Sequence, residues 1–180
     1  MLLGTKLKSY ISVGTKFVEV DIYGYSSRSV PGLDIIGIGS KGKLIREKIT
    51  FITNRHIKKR RALKRYAISI ESVLAEEKLK LHARDLEFPI LILYWSLAGI
   101  LPIKNLDKIW TTGFLSVDFE ITLNHLNEMK KDESILSMVN EKIFVHPKEV
   151  ENDFSMQSLI WEDLLDAAYR NSDAPSNDFG

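Results

Sequence analysis

Two periodicities of apolar residues alternate along this chain. Val18, Val20 and Ile22 alternate with Phe17, Glu19, Asp21 and Tyr23, the period-two pattern of a half-buried strand over residues 17–23. Residues 10–13 supply an antiparallel partner, with Gly14 and Thr15 at the turn. Val30-Pro31-Gly32 breaks the chain, and residues 33–38 read as a second apolar strand. The period then changes. Ile45, Ile49 and Ile52 recur at helical spacing, so a helix is predicted from a cap at Ser40 to about Thr53, with Asn54 ending it.

Beyond it, residues 65–71 alternate as a strand, and residues 73–85 fit either a surface helix or a long loop. Residues 86–99 form the most apolar helix candidate. Residues 109–115 and 119–123 flank a turn at Val117-Asp118 and suggest a hairpin. A helix is predicted over 126–139, a short strand over 142–145, and a terminal helix over 158–169. Residues from Asn171 onward read as a loose tail. Residues 1–170 are therefore expected to form one domain and 171–180 a tail.

The 180 residues suffice for a hydrophobic core, and 44% apolar against 27% charged residues marks a globular chain. With 25 Lys and Arg against 24 Asp and Glu, the net charge of +1 excludes a global pull toward nucleic acid or membrane. The sum hides a cancellation. Every charged side chain from Lys41 to Arg65 is basic except Glu47, whereas residues 149–180 carry acids against the single base Arg170. The absence of cysteine removes disulfides, thiolate metal sites and cysteine nucleophiles. The longest uncharged stretch, 88–103, is shorter than the roughly 18–20 residues of a spanning helix and contains Pro89 and Pro102. The three-residue apolar run at the N-terminus is too short for a signal peptide. A cytoplasmic location is expected.

Residues 37–42, GIGSKG, spell G-x-G-x-x-G between a strand and a helix. The backbone amides of such a turn hold pyrophosphate in dinucleotide-binding folds. The acid required about 20 residues later is missing, since that region reads Arg60-Arg61-Ala62-Leu63-Lys64. Gly37, Gly42 and Lys43 also fit most of a P-loop, but Leu44 replaces the magnesium-binding hydroxyl. A glycine-rich strand-to-helix turn is the reading adopted. His56, His82, His125 and His146 are dispersed, without metal-ligand spacing. Trp95, Trp110 and Trp161 lie in apolar context and are expected in the core or an interface.

VEVDI at 18–22 followed by VPGLDIIGI at 30–38 resembles the N-terminal domain of the ComM/YifB proteins, the magnesium-chelatase-like ATPases. Further stretches keep the family's order: Arg46-Glu47-Lys48-Ile49 for its SRERV segment, KRYAISI at 64–70, LEFPILILYWSLAGIL at 86–101, GFLSVDF at 113–119 and IFVHP at 143–147. The similarity spans residues 5–169. Two departures stand out. Residues 69–84 lack the family's APAD core, and Phe119 replaces the second glycine of its GELSLDG hairpin. The resemblance implies an α+β fold of the Lon-protease type, as in domain two of small ribosomal subunit protein five, with a mixed sheet packed by helices. It places Pro31, Gly32, Gly37 and Gly39 in the family's GLPD-type turn, away from any ATP site. In the family the P-loop belongs to a following AAA+ module, which is expected to be absent because the chain stops shortly after the first domain.

Lon-type proteolysis needs a serine activated by a lysine, and the family relation places that serine just before the helix at 86–99. Residues 81–89, LHARDLEFP, contain no hydroxyl or thiol, and Glu87 stands near that place. Lys130 and Lys131 fall near the expected lysine and read as a solvated helix face. The expectation is a non-catalytic binding or assembly module, without cofactor or metal. Its expected partner is a protein carrying the AAA+ module, with a further copy of the chain as another. The rival expectation is DNA or RNA binding by Arg55, Lys58, Lys59, Arg60, Arg61, Lys64 and Arg65, whose cations would contact phosphates. A peptidase or nucleotide-binding protein is the third.

Overall fold

A computed structural model describes residues 3–58, 63–155 and 157–173. The architecture is α+β, a mixed sheet packed with helices. Strands β1 (Leu3–Val13) and β2 (Lys16–Ser27) form a long hairpin, with Val13 opposite Lys16 around Gly14 and Thr15. Strand β3 (Gly32–Ile36) leads through helix α1 (Lys41–His56) to β4 (Arg65–Ser72), which runs parallel to β3 and antiparallel to β2. Helix α2 (Glu76–Leu81) and a 3-10 turn (Ala83–Leu86) then enter α3 (Glu87–Leu97). Strand β5 (Ile109–Trp110) joins the main sheet, while β6 (Phe114–Leu115) and β7 (Ile121–Thr122) pair only with each other. Helices α4 (Leu126–Lys130) and α5 (Glu133–Val139), strands β8 (Ile143–His146) and β9 (Gln157–Ile160), and helix α6 (Trp161–Asp173) complete the described chain. The seven-stranded sheet has the order β3-β4-β2-β1-β5-β8-β9.

Alternation in the strands builds a core on each face. Leu7, Ile11, Val20, Ile22 and Ile68 join the buried side chains of α1, α3 and α6 on one face. Tyr10, Trp110 and Phe144 point the other way and meet Met129, Ile135 and Val139 of α4 and α5. Helix α3 is buried around its whole circumference from Glu87 to Trp95, so it reads as apolar throughout instead of amphipathic. Pro89 is tolerated because it lies in the first turn, where an amide has no intrahelical acceptor. Trp95, Trp110 and Trp161 are all buried, as expected. Trp95 Nε1 donates to Thr53 Oγ1 at 3.0 Å and ties α3 to α1.

Several expectations need correction. Ser40 precedes α1 but makes no capping hydrogen bond, and its backbone is already helical. The predicted helix over 126–139 is two helices, because Asp132 interrupts it in extended conformation and accepts a hydrogen bond from Ile135 N as the cap of α5. The predicted strand over 109–115 is split between two sheets by Thr111–Gly113, whose hydroxyls and amides bond to Val145, Tyr10 and Asp85. The predicted helix over 158–169 begins three residues late, because residues 158–160 extend β9 beside β8. It also runs past the expected tail boundary, to Asp173. Among the described residues, no helix is long and apolar enough to cross a membrane.

Candidate functional site

The predicted glycine turn has a packing explanation. A Cβ on Gly37, where φ is +103°, would lie 2.3 Å from the Ile70 carbonyl oxygen. One on Gly42 would lie 2.5 Å from that of Ile35, so a side chain would push α1 off β3. The amide of Gly39 donates to Glu76 Oε1 at 3.0 Å, so a carboxylate of this chain already occupies an anion position there. Pro31 and Gly32 lie exposed at the entry to β3.

The basic segment is less uniform than its sequence. Arg65 is bound to Asp34, with Nη2 2.6 Å from Oδ2 and Nε donating at 2.8 Å. Arg55 lies over the Phe51 ring at 6.0 Å from its centroid. Lys58 and Lys64 are exposed. Lys59, Arg60 and Arg61 lie outside the described residues. The acidic C-terminal region does not neutralise this segment through any described salt bridge. The ion pairs of the basic stretch run instead to Glu87 and Asp34. Lys130 pairs with Asp153 on the far side of the sheet, and Lys131 is exposed.

A site with more built-in chemistry than the basic segment lies elsewhere, in a cleft of about 560 Å³ bounded by α1, the end of α2, the start of α3 and the β6–β7 hairpin. Its walls follow from helix geometry. The core stripe of α1 is Ile45, Ile49 and Ile52, and a neighbouring stripe of Lys41, Leu44, Lys48 and Phe51 faces the cleft. At its floor, Lys48 Nζ lies 2.6 Å from Glu87 Oε2 and 3.1 Å from Oε1, and donates to the Leu115 carbonyl at 2.8 Å. The Glu87 side chain is 4% exposed and that of Lys48 21%, so Glu87 depends on this one ammonium while Lys48 retains contact with water. Burial pushes the Glu87 carboxyl up from its ordinary pKa, against the opposing pull of Lys48 and Arg84.

The backbone fixes Glu87 in place. Phe88 N donates to Gly113 O at 3.1 Å, and Gly113 N donates to Asp85 O at 2.8 Å. Gly113, just before the hairpin, thus satisfies one first-turn amide of α3 and brings Phe114 beside the ion pair. Arg84 lies over the Phe114 ring at 4.1 Å and Lys48 at 4.6 Å. The hairpin tip is held by Phe119, whose φ is +67°. Its ring stacks on His56 at 4.6 Å and meets Trp95 and Trp161. Phe119 therefore adopts a left-handed backbone without being a glycine. Burial and then Arg55 lower the pKa of His56, favouring the neutral ring in this stack.

Sequence reading placed Glu87 near a nucleophile position and Lys48 in a family motif without connecting them. The second stripe on α1, with Leu44 and Phe51 outside the core register, was the available signal. Compared with known proteins, the chain matches no family model, and no curated protein matches it.

Proposed function

We propose that this chain is a binding or assembly module that engages a protein partner through the cleft between α1 and the β6–β7 hairpin. One observation carries the reading: Leu44, Phe51, Leu81 and Val117 are each more than half exposed and line this one cleft. Scattered exposed apolar residues are ordinary, but a cluster rimmed by charge is characteristic of an interaction site. The proposal includes a Lon-like fold related to the N-terminal domain of the ComM/YifB proteins. Its support is the succession of β2, the Pro31-Gly32 turn, α1, β4, α3 and the β6–β7 hairpin in the order of the matching stretches. That relation suggests a partner carrying an AAA+ ATPase module.

Independent catalysis is left out of the proposal. Near the place of a Lon-type serine the chain has Glu87, held by Lys48. A carboxylate so paired is a poor acyl nucleophile. The test is selection of a displayed random-peptide library against the intact protein and against a Phe51→Asp/Leu81→Asp variant. Enrichment that depends on the two apolar residues is expected. Absence of any selected binder, or equal binding by the variant, overturns the cleft as the site. Turnover of ATP or of an unfolded protein by the pure chain overturns the non-catalytic part.

A further inference from the structure

We infer that the cleft takes an acidic polypeptide segment, with a large apolar side chain seated among Leu44, Phe51 and Leu81 and flanking carboxylates held by Lys41, Lys80 and Arg84. This rests on the binding-module reading and adds the chemistry of the partner. The cleft lining carries Lys41, Lys48, Lys80 and Arg84 against Glu47 and Glu87. Lys48 and Glu87 neutralise each other, which leaves three cations against one carboxylate. Among the described residues, none of those three cations is in a salt bridge. Lys41 and Arg84 are exposed and Lys80 is half-buried. The mouth is therefore electropositive and the wall apolar.

The two properties select different parts of one ligand. Burial of an apolar anchor supplies most of the affinity, and charge complementarity supplies orientation and discrimination. A nucleic acid fits less well. The exposed walls are mainly aliphatic, Phe51 is the one strongly exposed aromatic among the lining residues, and Glu47 stands at the rim. Single-strand binding instead relies on aromatic platforms along a basic groove. The volume of about 560 Å³ suits a few side chains, and the wide exposure of Leu81 at 79% leaves room for a continuing chain.

The experiment titrates the intact protein with four fluorescein-labelled probes. Three are peptides: Leu/Phe anchors flanked by Asp and Glu, the same anchors flanked by Lys, and the acidic flanks with Ser anchors. The fourth is an oligothymidine of similar length. The acidic anchored peptide is expected to bind about tenfold or more tighter than its Lys-flanked counterpart, with the preference shrinking at high salt. Replacing anchors by Ser is expected to abolish binding. Lys80→Glu/Arg84→Glu should reverse the preference toward the Lys-flanked peptide, with melting temperature checked in parallel. Equal, salt-insensitive binding of both anchored peptides that Phe51→Asp/Leu81→Asp abolishes overturns the acidic partner and leaves the binding-module reading standing. Tighter, Lys80- and Arg84-dependent binding of the oligothymidine overturns the inference in favour of nucleic acid. No binding of any probe overturns the inference here, while the library selection decides the broader reading separately.

Discussion

Two apolar regions lie on opposite sides of the sheet, and they end differently. Behind it, Trp110 stacks on Phe144 at 4.3 Å, Phe154 and Tyr10 meet Trp110 edge-on, and α4 and α5 seal the cluster from water. In front, the stripe formed by Leu44 and Phe51 of α1 gathers Leu81 and Val117 around it and stays open. Both regions are rich in large apolar side chains, so hydrophobicity alone does not decide closure. The rear cluster has a covering element in the described chain. At the front, no described element covers the apolar wall, and the part-buried Lys48–Glu87 pair forms its floor. The contrast separates residues that build the fold from residues the fold presents.

The largest expected effect breaks the closed side. Trp110→Ala removes a buried indole with its stacking and its hydrogen bond to Ser155 Oγ, and should cost about 3–5 kcal/mol in urea unfolding. A loss below about 1 kcal/mol would mean the rear cluster is not tightly packed.

Next comes the floor of the open side. Lys48→Met leaves Glu87 buried without its partner and should cost about 3 kcal/mol near neutral pH. The pH dependence has a defined sign. Glu87 holds its proton more tightly in the folded than in the unfolded state, so its ionisation costs stability above the raised pKa. That cost is relieved as pH falls through the folded pKa toward the ordinary value. Removing Lys48 withdraws a group that favours the carboxylate, so the penalty of the variant should shrink on acidification. A penalty that is flat with pH would show that Glu87 is not charged in the folded protein.

The smallest effect defines the comparison. Leu81→Ser should change stability by less than about 0.5 kcal/mol, because Leu81 is 79% exposed, and Phe51→Ser, at a half-exposed ring, by about 1 kcal/mol. A loss comparable with Trp110→Ala would place these residues in the fold and not in a recognition surface.

The sequence made the packing elements readable where one physical signal dominated. The alternation of Val18, Val20 and Ile22 marked β2, and the spacing of Ile45, Ile49 and Ile52 marked α1. Boundaries failed where local chemistry competed with that pattern. Asp132 ended one helix and capped another, and the pairing of residues 157–160 with β8 overrode a helical spacing. The site was less legible because it depends on long-range closure. Lys48 and Glu87 are 39 residues apart, and the bonds that join Gly113 to Asp85 and Phe88, with that of Lys48 to the Leu115 carbonyl, bring the hairpin against them. The basic run stands out by density, yet its described ion pairs run to Glu87 and Asp34, and the cations lining the cleft include Lys80 and Arg84 outside it.

Phe119 has a consequence for how the sequence of this hairpin can change. Its left-handed backbone would be relaxed by glycine, but a glycine would vacate the space among His56, Trp95 and Trp161. The aromatic ring and the unusual backbone are therefore mutually dependent. Replacement by glycine is acceptable only after neighbours have grown to fill the gap, and those neighbours have no room to grow while the phenylalanine remains. The hairpin tip thus sits behind an epistatic barrier, where each single step away loses packing and only coordinated changes restore it.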